Sequence, residues 1–116
     1  MEQENRKSTW DMAMEGAEAA AAHADREIFE WRDRALSMIQ KYANTHFLFL
    51  TEEVRAWAYE QGLPTPPDPR AWGAVVREAK RLEIIEQHGF AMVKVPPAHS
   101  RHMAQWKSLI YQGPTQ

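Results

Sequence analysis

The sequence predicts an α+β fold, mainly helical, with a small three-stranded antiparallel sheet and an N-terminal helical extension. Three observations carry this. Apolar residues recur at helical period through 28–43; the run FLFL at 47–50 is bounded by polar residues; and an extended, Gly-broken stretch follows the last helical segment. The 116 residues suffice for one domain around one core, and 44% hydrophobic with 26% charged residues is ordinary for a globular protein.

Taken in order, residues 1–9 are polar and read as a disordered start. Residues 10–44 read as mostly helix. The segment MEGAEAAAAHADRE is rich in Ala and Glu, both strong helix formers. Beyond the pair Trp10 and Met14 it holds few large apolar groups, so a projecting arm, a dimer contact or a frayed helix is expected there. In EIFEWRDRALSMIQKYA, Ile28, Trp31, Ala35, Met38 and Tyr42 form one stripe, flanked by Phe29, Leu36, Ile39 and Ala43. That wide face marks a core helix. Phe47–Leu50 reads as a short strand. Thr51 is suited to cap a helix with Glu52 and Glu53 in its first turn, Val54, Trp57 and Ala58 on its buried face, and Gly62 just past its end. The prolines of LPTPPDP stiffen the next loop. Asp68-Pro69 opens a helix running to about Leu82. An extended segment with a bulge at Gly89, a loop PPAHSRH and a final strand MAQWKSLI complete the pattern, and YQGPTQ reads as a frayed end. The domain boundaries expected are an extension at 1–26, a folded domain at 27–111 and a tail at 112–116.

This order of elements matches the winged helix-turn-helix arrangement, with FLFL pairing to a late hairpin. The helix 70–81 is then the recognition helix. About 100° of turn per residue gathers Trp72, Val75, Val76, Ala79 and Leu82 on one side. Arg70, Arg77, Lys80 and Arg81 fall on the other, around Gly73 and Ala74. Small residues among basic ones admit a close neighbour, and Arg offers a fork suited to phosphates or the guanine edge. Residues 87–107 contain Lys94, Arg101, Lys107 and three histidines, with no Asp or Glu, so the hairpin loop at His99, Ser100, Arg101 and His102 is the expected wing contact. Charge is polarised along the chain. Residues 1–60 hold twelve acids against seven Lys and Arg, whereas residues 61–116 hold four against seven. A positive C-terminal half suits a polyanion.

The stretch FLFLTEEVRAWAYEQGLPTPPDPRAWGAVVREAKRLEIIEQHGF, with the later HSRHMAQWKS, resembles small winged helix-turn-helix proteins of phages and prophages. The resemblance spans roughly residues 28–110 and leaves out the Ala-rich extension. It implies binding to double-stranded DNA in gene regulation or DNA replication. The other readings of the same fold are a protein-interaction adaptor, docking on a replication or transcription protein, and a phage-encoded inhibitor of a host protein. Because one small domain offers few phosphate contacts, a homodimer through residues 10–30 is also expected.

Other classes find little support. No Gly-rich phosphate loop, nucleophile elbow or paired-His zinc helix occurs, so the chain reads as a non-enzyme without cofactor. His99 and His102 have i, i+3 spacing, but with no cysteine and no acid in the loop they do not make a metal site. Glu27, Glu30 and Asp33 are spaced as a solvated helix face. The absence of cysteine, of an apolar signal region and of a long apolar run leads to the expectation of a cytoplasmic protein that neither spans nor anchors in a membrane.

Overall fold

The computed structural model describes residues 9–95 and 99–114; of the polar start expected at 1–9, residues 1–8 lie outside them and Thr9 is already helical. The element order is α1 (Thr9–Glu27), α2 (Trp31–Thr45), β1 (Leu48–Leu50), α3 (Thr51–Glu60), α4 (Ala71–Arg81), β2 (Ile85–Val95) and β3 (His99–Ser108). The chain is mixed α+β and mainly helical, with one three-stranded antiparallel sheet in the order β1-β3-β2.

The helical stretch 10–44 is two helices rather than one. Glu30 takes a left-handed conformation with φ 49° at the break, and the Arg32 amide donates to Asp25 Oδ1 across it at 2.8 Å. The α2 stripe keeps its period but is shifted: Trp31 and Ala35 are buried with Ile39 and Ala43, which were expected on the flank, whereas Met38 and Tyr42 are half-buried beside them and Ile28 precedes the helix. Phe29, expected on the flank of that stripe, falls in the break and is 78% exposed. The Trp31 indole N–H donates to the Pro64 carbonyl at 2.9 Å, tying the Pro-rich loop to α2. Its ring meets Trp72 edge-on at 5.4 Å. Trp72 in turn donates to the Tyr59 hydroxyl, and Trp106 to Thr51 Oγ1, both at 2.9 Å. These three indoles carry their polar edges into partners, as buried tryptophans must. The Trp106 bond gives Thr51 a role other than the cap expected of it. Leu50 occupies the cap position, and its amide donates to Glu53 at 2.8 Å.

Two helices end in the same way on different residues. After α3, the amides of Gly62 and Leu63 donate to the carbonyls of Tyr59 and Ala58, with Gly62 at φ 102°. After α4, the amides of Glu83 and Ile84 donate to Lys80 and Ala79, with Glu83 at φ 61°. Both are Schellman closures. Gly62 signalled the first in the sequence. The second places a non-glycine residue in the left-handed region, which costs roughly 1–2 kcal/mol, and ends the helix with Leu82 45% exposed instead of in the core.

The β2–β3 pairing shifts between Gln87 and Phe90, so that one extra residue lies on β2, and Gly89 at φ 78° supplies the bulge expected there. Beyond it the two strands pair to Val95↔His99. The segment 99–102, expected as loop, is therefore strand. Buried Ser108 pins the sheet to α2: its hydroxyl donates to the Ala43 carbonyl at 2.7 Å and its amide to Phe47 at 2.8 Å. The Gln112 amide donates to Asn44, so the chain stays attached past the expected boundary at 111.

Candidate functional site

The alanine face of α1 closes on α4. Ala17, Ala20, Ala21 and Ala24 follow helical spacing and are all buried. A Cβ added to Gly73 would lie 3.1 Å from the Ala17 methyl, and one added to Gly16 would lie 3.2 Å from Arg70. Ala74 is 3% exposed. The helix thus has neighbours on two sides, α2 with Trp31 against Trp72 and α1 with Ala17 against Gly73. Gly73 and Ala74 do admit a close neighbour, and that neighbour is α1. This corrects the expectation of a projecting arm. The alanine face of this helix is thus matched within the chain.

Ion pairs reinforce the seam. Glu18 of α1 accepts from Arg32 of α2 on Oε1 and from Arg77 of α4 on Oε2, each at 3.0 Å. Arg32 also lies 3.4 Å from Asp25 through its buried Nε, an ion pair without hydrogen-bond geometry. The seam is nonetheless thin. At about 0.8 kcal/mol per buried methyl-sized group, four alanines supply roughly 3 kcal/mol. The Glu18–Arg77 pair, with side chains 41% and 55% exposed, adds at most about 1 kcal/mol.

The other cations of α4 are engaged locally. Arg70 donates from Nε and Nη2 to Asp68 Oδ2 at 3.0 and 2.7 Å, and these bonds hold the Asp68 carboxyl below its ordinary range. Asp68 also accepts the Arg70 amide at 2.9 Å, so it shapes the turn leading into α4. Arg81 donates to Glu78 at 3.0 Å through Nε, lowering the Glu78 pKa and raising its own. Lys80 reaches over the Trp106 ring, 5.6 Å from its centroid. Together Arg77, Lys80, Trp106, Gln87, Thr51 and Met14 border a cleft of about 290 Å³. The cation-bearing edge of α4 therefore adjoins the base of the β2–β3 hairpin.

Of the residues singled out in the sequence, Arg70, Arg77, Lys80 and Arg81 lie on one exposed edge of α4. Gly73 and Ala74 lie under α1. His99, Ser100, Arg101 and His102 occupy β3 register positions opposite Val95, Lys94, Val93 and Met92, and their side chains lie outside the described part. Sequence reasoning missed Glu18, which bridges three helices, and the alanine stripe at 17, 20, 21 and 24. The i, i+3, i+4, i+7 spacing of those alanines was the available signal. Among the described residues no group of His, Asp and Glu is arranged to hold a metal ion, and no helix is long and apolar enough to cross a membrane.

No protein-family model matches the chain, and comparison with curated proteins and with solved structures yields no match.

Proposed function

We propose that this chain is a winged helix protein that binds double-stranded DNA in gene regulation or DNA replication, in the manner of the phage and prophage proteins it resembles. In this reading α2, α3 and α4 are the three helices, α4 is the reading helix and the β2–β3 hairpin is the wing. The observation that carries it is the shared border at Trp106, where Lys80 and Arg77 of α4 meet the base of a hairpin whose sequence from Gln87 onward contains no Asp or Glu. DNA backbone contacts ask for a continuous cationic surface across a helix and its neighbouring hairpin. Arg70, Arg77, Lys80 and Arg81 supply the helix part; Lys94, His99, Ser100, Arg101 and His102 supply the wing.

The test is fluorescence anisotropy on a labelled mixed-sequence duplex, with salt raised from about 50 to 200 mM. Binding that weakens steeply with salt and is lost in Lys94→Glu/Arg101→Glu supports the reading. Absence of binding at the lowest salt by wild type and by a variant with α1 loosened would end it.

One observation favours a second reading, a protein-interaction adaptor. Phe47 and Tyr111 are both exposed and in contact at 5.6 Å between ring centroids, with exposed Leu48 and Leu109 adjoining them in the chain. An adaptor binds its partner through such apolar surface, and its affinity responds little to salt.

A further inference from the structure

We infer that α1 is an intramolecular cover on α4, with Glu18 holding the position that a DNA phosphate would take on Arg77, so that α4 reads DNA only when α1 swings away. The inference rests on the DNA-binding reading above and adds its regulation.

Four features lead to it. First, the fit is tight. The Gly73 backbone sits so near the Ala17 methyl that nothing else passes between them, and the next residue, Ala74, is buried. A helix in this position fills the space a groove of DNA would need, because an α-helix with side chains is about 10–12 Å across. Second, the electrostatic contact is the same in kind as the one it excludes. Glu18 presents a carboxylate oxygen to the Arg77 guanidinium at 3.0 Å, as a phosphate oxygen would. Third, the contact is built from alanine, glycine and exposed ion pairs, so it is weak enough to exchange. Fourth, α1 has a place to pivot. It is joined to α2 through Ile28–Glu30, where the helix is broken and Glu30 is left-handed. Arg32 tethers α1 near that pivot through Asp25 and Glu18, both on exposed side chains.

Closed and open states then set the apparent affinity. A closed fraction raises the apparent Kd in inverse proportion to the open population that remains. The closed protein then binds weakly through the hairpin and the open one strongly through α4 and hairpin together.

The absence of cysteine allows a reversible test in the full chain. In Ala17→Cys/Gly73→Cys the two Cβ atoms lie close to the separation a disulfide needs. Oxidation should lock α1 down and weaken binding to the mixed-sequence duplex, and reduction of the same sample should restore it. Independently, Glu18→Gln should tighten binding by up to about fivefold, the upper size of one exposed ion pair. Glu27→Gln makes the same charge change away from the seam and should leave binding unchanged. Hydrogen exchange on the wild type should show α1 amides becoming less protected, and α4 amides more protected, when duplex is added. Equal binding by oxidised and reduced protein, equal effects of the two Gln variants, or α1 amides that stay protected in the complex would each overturn the cover while leaving DNA binding intact. No binding by wild type, by the reduced double variant or by Glu18→Gln would overturn the DNA-binding reading itself, and the cover with it.

Discussion

Two regions carry the positive charge of the C-terminal half, and they are built in opposite ways. Arg70 just before α4, and Arg77 and Arg81 within it, each have a carboxylate within reach, from Asp68, Glu18 and Glu78, and Lys80 lies over Trp106. In the hairpin, Lys107 turns back to Glu86 at 2.9 Å, and beyond Glu86 the chain has no acid to offer. Counted in the sequence, the two regions look alike. In the structure, the arginines at α4 are each drawn to a carboxylate of the same chain, and in the hairpin Lys107 is drawn to Glu86. A cation contributes to binding a polyanion only after it has been released from its own partners, so the arginines at α4, and Lys107 in the hairpin, begin with a handicap.

The comparison can be broken at its strongest point first. Trp72 holds α4 in the core against Trp31 and Tyr59. Trp72→Ala should cost about 3–5 kcal/mol, whereas Lys94→Ala/Arg101→Ala should change stability by less than about 0.5 kcal/mol. Urea unfolding of both variants checks this, and a hairpin variant as unstable as the Trp72 variant would mean the hairpin is structural after all. A smaller effect probes the covered face. Gly73→Val inserts a branched side chain where Ala17 already sits and should cost about 1–3 kcal/mol by overpacking. If it is neutral in thermal unfolding, α1 does not rest there. The smallest effect concerns pH. The Asp68 and Glu78 carboxyls are held below their ordinary values by Arg70 and Arg81. Their contribution to stability is therefore complete above the unfolded carboxylate range, about pH 4, and is lost as the pH falls through their lower folded values. Both are only half-buried and their arginine partners are exposed, so the contribution is small. Comparing Glu78→Gln with wild type by acid titration should show a difference near neutrality that vanishes in strong acid.

How far these arrangements could be read from the sequence follows from what periodicity records. The α2 stripe, the FLFL strand, the Gly62 closure and the Gly89 bulge were legible because each rests on local chemistry. The break at Phe29–Glu30 was not, since no Gly or Pro marks it and the left-handed residue is a glutamate. The split of α4 into apolar and basic sides was also legible, as was the need for small residues at 73 and 74. What the sequence does not record is which surface comes close. Complementarity between Ala17 and Gly73 is a long-range match of two small residues, and neither carries a label for the other. The same holds for Glu18, which reads as one more solvated acid until Arg32 and Arg77 converge on it.

The alanine seam has one more consequence. Alanine and glycine have no rotamers to freeze. When α1 settles on Gly73 and Ala74, the chain orders a helix orientation but almost no side-chain torsions, unlike a leucine seam. Docking and undocking then proceed without repacking, as one rigid rod tilting against another. The rate of that motion is set by the Ile28–Glu30 joint and by the breaking of the Arg32 and Arg77 ion pairs. It should accordingly respond to salt more than to the size of any apolar group.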